Sequence, residues 1–140
     1  MKLLLLSDAN SVHTIRWVQS IRKNKIDLLL FSFFIPTPNL VKKYKKLNVK
    51  VISPNLKAKI KNLREPNISK IRYIGSLRLL RSTIKDFKPS VIHAHYASSY
   101  GFLGWLCRFR PFILSVWGSD IYHFPNKNFF NKYIMKHIIN

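Results

Sequence analysis

Lys2-Leu3-Leu4-Leu5-Leu6, then Ser7-Asp8-Ala9-Asn10-Ser11, then Val12, Ile15, Val18 and Ile21 at helical spacing, then Leu28-Leu29-Leu30-Phe31: residues 2–31 read as strand, polar loop, helix, strand. Both strand runs are continuously apolar rather than alternating, which suits strands covered on both faces, as in a parallel sheet. The helix between them keeps Arg16, Arg22 and Lys23 off its apolar face.

Outward from this unit the alternation continues. Val49 to Ile52 is a third apolar run, and Ser53 to Ser69 is a basic connection containing Pro and Asn. Spacing predicts a long amphipathic helix starting near Ser69. Ile71, Ile74, Leu77, Leu80, Ile84 and Phe87 form its apolar side, Arg72, Arg78, Arg81 and Lys85 its polar side, and Pro89 stops it. Val91 to His95 reads as a fourth strand, Tyr100 to Arg108 as a helix, Phe112 to Trp117 as a fifth strand and Phe129 to Ile139 as a last helix. The predicted class is α/β, a Rossmann-like doubly wound parallel sheet in the order 3-2-1-4-5. One domain spans 1–140. Its last helix has no strand to return to, so the domain is expected to be incomplete at its C-terminus.

A chain of 140 residues that is 47% hydrophobic holds one real core and is not disordered. The lone Cys107, in an apolar stretch, has no internal disulfide partner and fits a reducing compartment. The run Leu3 to Leu6 is too short for a signal peptide and is interrupted by Asp8. The longest uncharged stretch, Leu28 to Val41, contains Pro36 and Pro38 and falls short of the roughly 20 residues of a membrane span. A cytoplasmic protein is expected. The net charge is +20, and fifteen of the 25 basic residues lie between Lys42 and Lys88 against Glu65 and Asp86 alone. Such a field attracts polyanions, including anionic lipid headgroups. An AT-rich coding bias that makes Lys the default surface residue accounts for the same count.

In open doubly wound sheets ligands bind beyond the carboxyl ends of the strands, where the strand order reverses. Three polar segments meet that rule: Ser7 to His13 after the first strand, His95 to Gly101 after the fourth, and Trp117 to Asp120 after the fifth. Candidate cleft residues are Asp8, Asn10, Ser11, His13, His95, Tyr96, Ser98, Trp117, Gly118 and Ser119. Each has a plain alternative. Asp8, Asn10 or Ser11 reads equally as a cap of the first helix, Ser98 or Ser99 as a cap of the helix from Tyr100, and Asp120 as a helix or turn cap. Gly118 suits a tight turn. His93 and His95 alternate onto one strand face, His93 as a core residue and His95 at the cleft. No Cys or carboxylate accompanies them at ligand spacing, so no metal site is read. The first loop lacks G-x-G-x-x-G, and no Walker motif, Ser-His-Asp spacing or Cys nucleophile arrangement is present.

The segments Ser7 to Trp17 (SDANSVHTIRW), Lys88 to Tyr96 (KPSVIHAHY) and Ser115 to Tyr122 (SVWGSDIY) resemble the amino-terminal domain of family 4 glycosyltransferases. The resemblance runs over essentially the whole chain and rests on the three segments in order. It implies the N-terminal half of a GT-B enzyme that takes sugar from a nucleotide-sugar donor, often in building bacterial lipopolysaccharide or capsule. It further implies that this domain binds a glycan or lipid-linked acceptor and itself binds no cofactor. The donor is expected in a C-terminal domain beyond this chain, which supplies most of the charge that stabilises the departing diphosphate. Two departures matter. Ala9-Asn10 stands where a Gly pair usually approaches the donor phosphates, and Trp117 stands where many members carry a His. The second moves the catalytic expectation to Asp120 as base or acceptor-hydroxyl partner, with Trp117 as a stacking surface. Lipid-linked acceptors would bring the basic stretch from Lys42 to Arg64, with the polar face of the following helix, to an anionic inner membrane surface.

Two other classes remain in view. A nucleic-acid-binding protein would explain the charge, but no helix-turn-helix, RRM, KH or zinc signature is present, so no nucleic acid is expected. A non-catalytic acceptor-binding subunit of a split glycosyltransferase would explain the length.

Overall fold

The computed structural model describes residues 1–56, 75–127 and 129–139. Five parallel strands form one sheet: β1 (Lys2–Leu6), β2 (Asp27–Phe31), β3 (Lys50–Ile52), β4 (Val91–His95) and β5 (Phe112–Ser115), in the order β3-β2-β1-β4-β5. This is the expected order.

Continuous apolar runs make the sheet two-faced. Leu3, Leu5, Leu28, Leu30 and Val91 pack on one face with Val18 and Ile21 of α1 (Val12–Lys23) and Tyr44 of α2 (Pro38–Lys46). Leu4, Leu6, Leu29, Phe31, Ile92 and Ala94 pack on the other with Leu80 of α3 (Leu77–Phe87). Tyr100 and Leu103 join that second layer from a π-helical turn (Tyr96–Gly101) and the short α4 (Phe102–Leu106). Burying one Leu side chain contributes roughly 1.5–3 kcal/mol, so the eight β1 and β2 residues of these two layers anchor the domain. After β5 come α5 (Ser119–Tyr122), a 3-10 turn (Pro125–Lys127) and α6 (Phe129–Ile139). Met135 and Ile138 of α6 cover Ala97 beside Phe102, Trp105 and Leu114.

Three expectations need adjusting, and a fourth lies outside the described residues. The helix α2 was passed over because its core-facing signal is carried by Leu40 and Tyr44 within a lysine run; Pro38 in its first turn was the usable start signal. The helix after β4 starts at Tyr96 rather than Tyr100, so Ser98 and Ser99 lie inside the π turn and cap nothing. The fifth strand ends at Ser115, not Trp117. Its last partner is His95, and Tyr96 then turns to a left-handed φ of 72°, which leaves Val116 and Trp117 without a neighbouring strand. The predicted helix start near Ser69 falls outside the described residues. Its end is as expected: Lys88 takes a left-handed C-cap conformation, and Pro89 follows.

Candidate functional site

Past the ends of β1, β4 and β5 a set of rings closes over a short chain of hydroxyls. Ser7 follows β1 directly, and its Oγ lies 2.7 Å from Thr14 Oγ1 and 3.0 Å from His95 Nδ1. All three residues are buried. His93, two residues back on the same strand face, places Nε2 2.8 Å from Ser115 Oγ. Trp17 stands edge-on to both histidines at 5.1 Å between centroids. Trp117 lies 5.6 Å from His95 and 4.8 Å from His13. His13 and Trp17 are four residues apart and so share a face of α1; that spacing was the available sign that Trp17 belongs here.

Burial, and secondarily the neighbouring His93, holds the His95 imidazole down at about 4. Burial also lowers His93. Both rings are therefore neutral near pH 7. His95 Nε2 is enclosed and has no hydrogen-bond partner among the described residues.

The loop after β4 is strapped to the loop after β5. Asp120 is fully buried, and its Oδ2 accepts the Ala97 N–H at 2.6 Å while Oδ1 accepts the Trp117 N–H at 2.9 Å. Tyr96 Oη and Ser119 Oγ, both exposed, pair at 2.8 Å. Gly118 has φ 87° and ψ −67°, and the Ser119 N–H reaches back to the Trp117 carbonyl, a positive-φ γ-turn that strongly favours glycine. This turn holds Trp117 over His95. The Asp120 carboxylate thus occupies a turn-cap position with both oxygens engaged and no solvent contact.

The loop after β1 faces the other way. Asp8 Oδ1 accepts the Asn10 N–H, and Asn10 bonds the Ile35 carbonyl and the Thr37 N–H of the loop before α2. Tyr44 Oη donates to the Ala9 carbonyl, and its phenol is pushed up to about 12 by burial and then by the Asp8 charge. Ser11 stands at the N-cap of α1 without a side-chain bond to it. Of the expected cleft residues, then, the structure brings together His13, His95 and Trp117, sets Tyr96 and Ser119 beside them, and draws Asp8 and Asn10 toward α2. Ser98 sits half-buried in the π turn. Ser7, Thr14, Trp17 and Ser115, absent from the expected set, complete the ring cluster. Among the described residues no group of three or more His, Cys, Asp or Glu is arranged to hold a metal ion.

A five-stranded parallel sheet in the order β3-β2-β1-β4-β5 with helices on both faces defines a Rossmann-like α/β domain. Residues 2–140 match the glycosyl transferase 4-like family model, and the chain belongs to that family. The crystal structure of CalG4, the calicheamicin glycosyltransferase, shares the fold at a TM-score of 0.54 and 13% identity over 94% of this chain and 36% of that one. Two structures of a deacetylase from the teicoplanin biosynthesis pathway, in complex with teicoplanin and with bog, are also similar. Each spans 69% of this chain; the TM-scores are 0.49 and 0.47, with 15% and 14% identity. This chain covers 58%, 56% and 36% of those three chains, so it spans well under two thirds of each. No curated protein matches its sequence.

Proposed function

We propose that this chain is the acceptor-binding part of a glycosyltransferase that uses a nucleotide sugar, with the donor held mainly by a second domain on the same or another polypeptide. The observation that carries the reading is the ring cluster of His13, Trp17, His95 and Trp117 at the strand-order switch. Indole faces match the C–H faces of sugars, and neutral hydroxyls and imidazoles match their oxygens. A diphosphate asks instead for cations and free backbone donors. In this reading Asp120 is a positioning residue that holds the two loops in register, because its oxygens are already taken by Ala97 and Trp117.

The test uses the chain together with its donor-binding domain. Trp17→Ala and Trp117→Ala should each raise KM for the acceptor about tenfold and leave KM for the nucleotide sugar within about twofold. The opposite pattern refutes the assignment.

The reading extends to synthesis of bacterial surface polysaccharide or lipopolysaccharide at the inner face of the cytoplasmic membrane. Among the described residues no helix is long and apolar enough to cross a membrane. Attachment is peripheral, through the basic stretch from Lys42 to Arg64 and the polar face of the helix after it; residues 57–74 lie outside the described residues, and Lys42, Lys43, Lys45 and Lys46 of α2 are exposed. Sedimentation with liposomes measures this. Vesicles rich in phosphatidylglycerol should retain the chain and neutral phosphatidylcholine vesicles should not; equal retention on both overturns it.

A further inference from the structure

Most of the buried polar side chains around the rim are hydrogen-bonded. Ser7, Thr14, Ser32, His93, Tyr96, Ser115, Ser119 and Asp120 all have partners. Among the described residues, His95 Nε2 is the one fully buried side-chain nitrogen or oxygen without one. An unpaired buried polar group costs about 1–3 kcal/mol, and native structures keep few of them. This one sits at the tip of β4, followed by a non-glycine residue at φ 72° and a π-helical turn. Both departures are costly locally and concentrate at functional sites. They hold His95 beside Trp117, a residue that is 39% exposed, is hydrogen-bonded through its backbone N–H and packs its ring against His13 and His95.

We propose that His95 Nε2 is the hydrogen-bonding contact for one uncharged hydroxyl of the acceptor sugar, and that the neighbouring Trp117 indole, 5.6 Å from the imidazole, shifts to admit the sugar and lies on its face. This rests on the reading of the rim as an acceptor site and deepens it. The chemistry selects a hydroxyl. With Nδ1 bonded to the Ser7 hydroxyl, which itself donates or accepts, the ring takes either neutral tautomer. Nε2 is then a donor or an acceptor, and a sugar hydroxyl satisfies both. A carboxylate or phosphate satisfies only the donor form. It would also bring an unpaired charge to a buried site where none of the bonded side chains is Lys or Arg.

The experiment titrates the chain with octyl β-glucoside, octyl β-galactoside and octyl N-acetyl-β-glucosaminide below their micellar concentrations, followed by tryptophan fluorescence. It compares wild type with His95→Gln, His95→Asn and His95→Phe. Gln carries its amide near the Nε2 position, and Asn carries it near Nδ1. Gln should keep the affinity within about threefold, while Asn and Phe should weaken the best-bound glycoside by about tenfold, the loss of one hydrogen bond. Because a variant can lose its fold, the wild type is also labelled with 15N at histidine. Adding the glycoside should shift the Nε2 resonance of His95 and leave that of His93 in place. Quenching that persists unchanged in His95→Phe, or an Nε2 resonance that does not move while the glycoside binds, overturns the inference and leaves the acceptor reading standing. Absence of quenching by all three glycosides removes the acceptor reading and the inference together.

Discussion

Replacing Asp120 with Ala removes a carboxylate that is fully buried and accepts two backbone N–H groups, from Ala97 at 2.6 Å and Trp117 at 2.9 Å. A hydrogen bond to a charged group contributes about 1.5–3 kcal/mol, and a buried donor left without a partner adds its own desolvation cost. Two such bonds give an expected loss of about 3–5 kcal/mol, a large part of the 5–15 kcal/mol that holds an ordinary domain together. With a urea slope of about 2 kcal/mol per molar, the midpoint should fall by about 2 M. Asp120→Asn keeps one acceptor oxygen and turns an amide NH2 toward the other N–H, so its midpoint should fall about half as far. Urea unfolding followed by tryptophan fluorescence reads the midpoint, and hydrogen exchange reads the site, since the Ala97 and Trp117 amides should lose protection first. A catalytic carboxylate behaves otherwise: Asp120→Asn would abolish transfer and leave stability in place. A midpoint change of less than about 0.5 M in Asp120→Ala would refute the positioning role.

Two further outcomes follow from the same geometry. His95 is held at about 4, against 6.5 unfolded, so below pH 6.5 the unfolded chain binds a proton that the folded one refuses. Stability is therefore full above pH 6.5 and should fall by about 2 kcal/mol between pH 7.5 and 5, with His93 adding in the same direction. Urea midpoints across that range measure it, and a flat profile refutes it. Gly104→Ala places a Cβ 2.5 Å from Phe112 Cε2 and 3.1 Å from Leu6 Cδ1. It should cost about 1–3 kcal/mol despite the better helix propensity of Ala, with the loss reduced in combination with Phe112→Leu; a thermal midpoint at or above the wild-type value would show that the Phe112 ring yields freely.

The sheet was legible because its decisive residues act locally. Leu3 to Leu6 and Leu28 to Phe31 announce strands buried on both faces, and a parallel pair joined by one helix of twelve residues covers both runs. The convergence of the loops after β1, β4 and β5 followed from that order alone. What sequence could not give is direction. Asp8 and Asn10 look like rim residues, yet their partners are Tyr44, Ile35 and Thr37, which reach them from 25 to 36 residues away. For Asp120 the sequence offered both a turn cap and a catalytic carboxylate, and it could not name the donors, Ala97 and Trp117, which belong to a π turn and a γ-turn that no periodicity announces. Trp17 was hidden for the opposite reason. It sits on the well-predicted α1, but at a position the apolar spacing of Val12, Ile15, Val18 and Ile21 treats as solvent-facing.

On the function proposed here, charge and recognition fall to different residues, and their ranges differ. The net charge of +20 is concentrated from Lys42 to Lys88, whereas the hydrogen bonds of the rim join Ser, Thr, His, Tyr and Asp side chains and backbone groups without a Lys or Arg among them. Coulomb forces between exposed groups reach about 8 Å in physiological salt. In that reading the basic stretch would act on an extended anionic surface, as a sum of many weak attractions that salt erodes. Contacts at a neutral, enclosed imidazole and two indoles act over van der Waals distance and are indifferent to salt. On the function proposed here, such a protein would hold itself near a charged surface by one set of residues and discriminate a small uncharged group by another. Either set can change without altering the other.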